Sequence, residues 1–166
     1  MRKMEVFFDY SCPYCLKGYE TLKELLPQYP DVEIVWRPCE AHPRPEQYGP
    51  HSDLCIQGLL YALEKGADVW EYHERMFSAA HKEKTDIEDP AALAGRVHGL
   101  LDTDAFLKTL QSGEYEKAVT DGNDYAYGKS EVWFLPAFRM NGRRLDAAGG
   151  VGVTKEQLSD FLSAAQ

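Results

Sequence analysis

Cys12-Pro13-Tyr14-Cys15 is the stretch of this chain whose residue types and spacing are set for chemistry, and it closes the run Glu5-Val6-Phe7-Phe8-Asp9-Tyr10-Ser11. Val6 to Phe8 are β-branched and aromatic and predict a buried strand. Pro13 predicts the first position of a helix, where its missing N–H costs nothing. Cys12 then falls at the N-cap, facing unsatisfied amides and the positive end of the helix dipole, both of which favour a thiolate. Cys15 lies one turn deeper on the same face and within disulfide reach. The spacing predicts a dithiol redox site in which Cys12 is the exposed nucleophile and Cys15 the more buried resolving thiol.

Other chemistry for the cysteines fits less well. A zinc site built on this pair needs a second pair, and no other C-x-x-C exists. Two unrelated core thiols would not call for a proline between them at a strand-to-helix junction. Cys39, His42, His51 and Cys55 give C-x2-H and H-x3-C on either side of a proline-rich loop, which is spacing a metal-binding module could use. A Cys39–Cys55 disulfide is a further alternative, and buried free thiols are the default in a reducing compartment. His73, His81 and His98 sit among charged neighbours on predicted helices, read as surface residues, and are assigned no chemistry.

The elements that would position the dithiol follow from periodicity. Leu16, Tyr19, Leu22, Leu25 and Leu26 make one apolar stripe of a helix that stops before Pro27. Val32 to Arg37 reads as the next strand, so the start is β-α-β with a right-handed crossover. Residues 38–51 are too rich in Pro and Gly for regular structure and predict a long loop. Ser52 is a candidate cap for a helix with Cys55, Ile56, Leu59, Leu60 and Leu63 inward, ended by Gly66. Asp68 and Glu71 suggest a capping box for a second, with Val69, Tyr72, Met76 and Phe77 inward. Asp89-Pro90 opens a third, with Leu93, Val97, Leu100 and Leu101 on its face. Residues 103–112 and 114–127 predict two more, ended by Gly113 and Gly128. Strand signals return at Val132 to Met140, and Asn141-Gly142 predicts a two-residue hairpin turn into Arg143 to Ala148. Gly149-Gly150-Val151-Gly152 reads as a flexible connection, and Thr154-x-x-Gln157 as a capping box for a last helix with Leu158, Phe161 and Leu162 inward.

At 166 residues and 44% hydrophobic content the chain can bury one proper core. A net charge of −9 argues against nucleic acid and against an anionic membrane surface. No segment reaches the length of a membrane span, and Met1-Arg2-Lys3-Met4 leads at once into the strand, so a cytoplasmic location is expected.

Cys12-Pro13-Tyr14-Cys15 after a buried strand, an all-helical stretch before the hairpin, and Leu135-Pro136 ahead of the third strand together resemble the DsbA-like family of thioredoxin-fold oxidoreductases. The opening Phe8-Asp9-Tyr10-Ser11-Cys12-Pro13-Tyr14-Cys15 looks most like its FrnE-like branch. The resemblance implies an α/β, thioredoxin-like fold made of residues 1–38 and 129–166, with 39–51 as connecting loop and 52–128 as an inserted helical subdomain. It implies thiol-disulfide exchange with protein or small-thiol substrates, catalysed by Cys12 and Cys15. It further implies substrate contacts from Pro13, Tyr14, Leu135 and Pro136, the Leu135–Pro136 bond being cis. No cofactor and no metal are required. Val6 departs from the pattern, because thioredoxin-like proteins often carry a buried acid six residues before the first cysteine. Asp9 points to the other face of the strand and reads as a solvated or capping residue. Trp133-Phe134 departs too, making the rim beside the dithiol bulky and apolar. The motif also occurs in glutaredoxins, which are shorter, so glutathione stays open as reductant or substrate. A glutathione-dependent isomerase or transferase of the same fold remains an alternative, and the oligomeric state is not legible.

Overall fold

The computed structural model describes residues 1–164. Strand β1 (Arg2–Phe8) lies inside a four-stranded sheet of order β2-β1-β3-β4, between β2 (Val32–Pro38) and β3 (Ala137–Met140), with β4 (Arg143–Asp146) at the far edge. Met4, Val6, Phe7 and Phe8 are all buried, as a strand covered on both faces requires. β2 runs parallel to β1, the crossover being helix α1 (Pro13–Leu25), and β3 is antiparallel to both β1 and β4. Asn141 and Gly142 take φ values of 53° and 75°, the left-handed pair that a tight hairpin needs. Thr154 and Gln157 cap each other reciprocally at the start of the last helix, α7 (Lys155–Ser163), which packs beside α1.

Five helices lie between β2 and β3 in the chain: α2 (Asp53–Glu64), α3 (Val69–His81), α4 (Pro90–Ala94), α5 (Thr103–Ser112) and α6 (Glu116–Asn123). A wider helical turn, Asp124–Lys129, follows α6 and places Tyr125 over the sheet, stacked on Phe7 with its hydroxyl donating to Glu5 at 2.5 Å. One continuous hydrophobic cluster runs through sheet and helices.

Several elements are shorter than their sequence patterns predict. α4 stops at Ala94 instead of running to Leu101: Arg96 and Val97 donate three residues back, to the Leu93 and Ala94 carbonyls, and Gly99 takes a left-handed φ of 80°, while Arg75 from α3 donates to the Arg96 and His98 carbonyls. Leu93 and Val97 still reach the core, whereas Leu100 and Leu101 are only half-buried. β3 begins at Ala137, not at Val132: Ser130 and Val132 donate back to the Tyr125 and Ala126 carbonyls, and Pro136 has no N–H to give a ladder. Gly128 lies within the wide turn instead of ending a helix. Ser52 stands at the N-cap of α2, but its hydroxyl makes no capping bond, and Leu63 at the other end of α2 is exposed. β4 ends at Asp146, after which Ala148 bridges to Gly152.

The histidines also differ from expectation. His73 is fully buried in a ring cluster that joins β1, α1, β2 and α3, with Trp36 at 4.2 Å, Phe8 at 5.2 Å and Tyr19 at 5.7 Å between centroids. Its Nδ1 accepts from the Tyr10 hydroxyl at 2.8 Å if the ring is neutral, and burial pushes its pKa down from 6.5 to about 3. His81 is half-buried and bonds the Tyr10 carbonyl at 2.7 Å through Nε2.

Two outcomes follow from this packing. The unfolded chain binds a proton at His73 below pH 6.5 while the folded chain refuses it until about 3. Stability should therefore fall as pH drops through that window, and a denaturant series against pH should show a shallower fall in His73→Gln. At Gly58 on α2 an added Cβ would collide with the Tyr72 hydroxyl and come to 2.7 Å from Phe106. The helix-propensity gain of Gly58→Ala, about 1 kcal/mol, is smaller than the roughly 1–3 kcal/mol of overpacking, so urea unfolding should show net destabilisation.

Candidate active site

The end of β1 and the start of α1 hold the two thiols. Cys12 is the N-cap of α1, with extended backbone at φ −88° and ψ 119°, and Pro13 occupies the first helical position. The Cys12 carbonyl accepts from Cys15 and Leu16 N–H at 3.1 and 3.2 Å, and no side chain caps the helix start. Cys12 is part-exposed and Cys15 is buried at 1%. All four cysteines are free thiols.

Their acidities separate. Cys12 lies below the ordinary thiol value, chiefly because the Cys15 thiol donates to its sulfur, with the Cys15 and Tyr14 amides adding to the effect and burial opposing it. Cys15 lies well above it, first through burial and then because its proton serves Cys12. The thiolate is thus made easier to form at Cys12 and harder at Cys15, whose thiol is the hydrogen-bond donor of the pair. Such a pair can open a disulfide and then close on itself.

Asp9, expected to be solvated or a simple cap, is instead buried at 1% and organises the turn. Its Oδ1 accepts from the Ser11 N–H and hydroxyl, both at 2.8 Å, and its Oδ2 from the Ala41 N–H at 2.6 Å. Its own N–H points at the Cys15 sulfur at 3.5 Å, and its carbonyl accepts from Cys12 N–H at 3.2 Å. The position six residues before Cys12 is the apolar Val6, so no carboxylate enters from that side.

Leu135 and Pro136 come to the dithiol from the other end of the chain. The Leu135–Pro136 bond is cis, the Leu135 carbonyl lies 4.0 Å from the Cys12 sulfur, and the Pro136 ring rests on Gly18 of α1, where a Cβ would come to 2.9 Å. Tyr14 and Phe134, flanking the dithiol and the Leu135–Pro136 bond in the chain, are exposed and give the opening an apolar rim, and Trp133 and Val151 are exposed as well. The stretch expected to be a flexible connection makes room for that rim. A Cβ at Gly149 would come to 3.1 Å from the Phe134 ring, and one at Gly152, whose φ is +85°, to 3.1 Å from Tyr14. Gly18, Gly149 and Gly152 went unnoticed as site residues, although a glycine inside an apolar helical stripe is a signal of close approach.

The remaining cysteines stand apart from this chemistry. Cys39 and Cys55 are fully buried, and burial pushes the Cys39 thiol up to about 12 and Cys55 higher still. His42 bonds Glu46, and His51 bonds the His42 carbonyl. No group of three or more potential metal ligands occurs among the described residues, so the spacing of Cys39, His42, His51 and Cys55 is not realised as a metal centre.

The family profile described as DSBA-like thioredoxin domain matches residues 3–162. The uncharacterized protein YwbO of Bacillus subtilis is 25% identical, the match covering 95% of this chain and 96% of that one. Among solved structures, a putative protein disulfide isomerase from Nitrosomonas europaea superposes with a TM-score of 0.75 at 13% identity, over 97% of this chain and 95% of its own. DsbA of Pseudomonas aeruginosa superposes with 0.67 at 22% identity, over 96% and 79%.

Since the Cys15 thiol is the largest influence on Cys12, Cys15→Ala should raise the Cys12 pKa toward the unperturbed value of about 8.5. Thiolate absorbance at 240 nm followed against pH, in a background lacking Cys39 and Cys55, measures it. An unchanged midpoint would remove Cys15 as the cause.

Proposed function

The chain belongs to the DsbA-like thioredoxin-domain family, and on that premise we propose that it is a thiol-disulfide oxidoreductase whose reacting groups are Cys12 and Cys15. The observation that carries this reading is the division of roles at the start of α1, where a part-exposed, acidified Cys12 is capped by a buried, proton-bearing Cys15. In the reductive direction the Cys12 thiolate attacks one sulfur of a substrate disulfide, forming a mixed disulfide and releasing the other sulfur as a thiolate. Cys15 gives up its proton and attacks the Cys12 sulfur, the mixed disulfide breaks, and the substrate leaves as a dithiol. Two electrons pass to the substrate and Cys12–Cys15 is left oxidised. The oxidative direction is the reverse.

Leu135, Pro136, Pro13 and Tyr14 are proposed to receive the substrate. The Leu135 carbonyl beside Cys12 offers an extended peptide an edge to pair with, and the apolar rim favours polypeptide segments with large apolar side chains. Residues 1–38 and 129–166, of which 165 and 166 lie outside the described residues, would form the thioredoxin-like body and 52–128 the inserted helical part. The run Phe8 to Cys15 supports the FrnE-like branch, and with it a cytoplasmic location. Dithiol sites span about −120 to −270 mV against a probe-based cytosolic glutathione poise near −280 to −320 mV, so the resting protein there is the dithiol, a reductant or isomerase. Glutathione is the candidate small-thiol partner. The presence of both cysteines weighs against the isomerase or transferase alternative.

Serine variants separate the two roles. Cys15→Ser leaves a nucleophile without a resolver, so mixed disulfides with substrate proteins should accumulate on non-reducing gels, whereas Cys12→Ser should trap few or none. Insulin reduction should drop by at least about a hundredfold in either, and by less than about twofold in Cys39→Ser or Cys55→Ser. Equal trapping by Cys12→Ser and Cys15→Ser would refute the assignment.

A further inference from the structure

The sheet ends on one side at β2, and the backbone there is open. The β1–β2 ladder starts with Arg2 N–H donating to the Asp31 carbonyl at 2.8 Å and finishes with Cys39 N–H donating to the Phe8 carbonyl at 2.9 Å. In the parallel register Arg2↔Val32 to Phe8↔Pro38, these two bonds assign the inward groups of β2 to its odd-numbered residues. Ile34 and Trp36 therefore turn their N–H and C=O away from the sheet, with no hydrogen-bond partner among the described residues. Val32 N–H is already spent on the Tyr29 carbonyl at 3.0 Å, and Pro38 has none. The open edge is thus two residues long.

The same two side chains line an apolar groove of about 630 Å³, whose opposite wall includes Leu26, Pro27, Val69 and Trp70 and whose one charged lining residue is Lys23. An uncovered edge beside an apolar groove is a template for another strand. The identity of that strand is written into β2 itself.

We propose that β2 of a second copy of this chain pairs antiparallel with β2 about a two-fold axis at Val35. In that register Ile34 of one copy faces Trp36 of the other, and each such pair exchanges both N–H···O=C bonds. Registers centred on Ile34 or on Trp36 would set the other open residue against Val32 or Pro38, whose N–H is spent or absent, and would lose one bond of each outer pair. Centring on Val35 also sets Glu33 against Arg37 of the second copy, twice by symmetry. Glu33 is exposed and has no ion-pair partner among the described residues, while Arg37 holds Glu5 at 2.7 Å and keeps further guanidinium N–H groups to donate. Ile34 and Trp36 of the second copy lie on the groove side of the joined sheet and extend the cover over it. A segment from another protein would need the same acid, apolar triplet and base in reverse order, which this chain supplies by itself. Because β2 is parallel to β1, antiparallel joining sends the two dithiols to opposite ends of the combined sheet and leaves both reachable.

Light scattering across a dilution series should show a mass rising from 18.8 kDa toward twice that value. Hydrogen exchange on the wild-type chain should show the Ile34 and Trp36 amides slowing at least about tenfold as the dimer forms, because only pairing can protect them. Val35→Lys places two ammonium groups face to face across the axis and should weaken association at least about tenfold, with the circular dichroism and the Cys12 alkylation rate unchanged. A mass of one chain at every concentration overturns the proposal. So does a dimer in which both amides exchange as fast as before, whether or not Val35→Lys folds.

Discussion

Three hydrogen bonds to one buried carboxylate hold the dithiol turn in place. Asp9 ends the central strand, and by accepting from Ser11 twice and from Ala41 once it ties the turn before α1 to the loop after β2. A buried carboxylate without such donors would lose several kcal/mol of solvation, and with them it becomes a joint. The joint fixes where Cys12 stands relative to the helix end, and hence which sulfur meets the amides. It also brings a negative charge near the thiols: the Asp9 carboxylate acts to raise Cys12, Cys39 and Cys55, whereas at Cys15 the Asp9 N–H, pointing at the sulfur, opposes that effect.

The contrast between the Cys12 and Cys15 sulfurs is therefore not set by Asp9. Burial separates them. Cys15 loses water on every side and keeps its proton, and that proton is what lowers Cys12. Cys12 is lowered in spite of Asp9 and of its own partial burial, by the Cys15 thiol first and then by the Cys15 and Tyr14 amides. Tyr127, whose hydroxyl donates to the Glu40 carbonyl at 2.6 Å, is itself pushed up by burial and adds no charge to this region.

The dithiol and its helix were legible because each piece is local: a strand former run, a proline at the first turn, and a cysteine on either side of it. The hairpin at Asn141-Gly142 and the capping box at Thr154 were legible for the same reason. What escaped the sequence depends on distant partners. His73 reads as a surface residue by its charged neighbours Glu71, Glu74 and Arg75, yet the rings of Trp36 and Phe8 arrive from strands far away in the chain. Leu63 completes an apolar stripe on α2, but its side chain stays exposed at the rim of a groove beside Val69 and Trp70. The α4 pattern continues past Ala94, but the backbone tightens there and turns left-handed at Gly99. Periodicity reports which faces are apolar, and tertiary packing decides how far a helix runs along them.

On the proposed exchange chemistry, the same forces that set acidity also set redox poise. A thiolate stabilised in the reduced form makes the disulfide easier to reduce, since the oxidised form has no charge for the helix end or the Cys15 proton to hold. Asp9 works the other way, by repelling that charge. The balance between a helix N-terminus and a buried carboxylate at the end of β1 thus tunes the site from behind, while the front, at Leu135, Phe134 and Tyr14, presents apolar surface. Electrostatics at the back and apolar surface at the front act on different steps: the first on how readily the sulfurs exchange, the second on which chains come close enough to exchange with them.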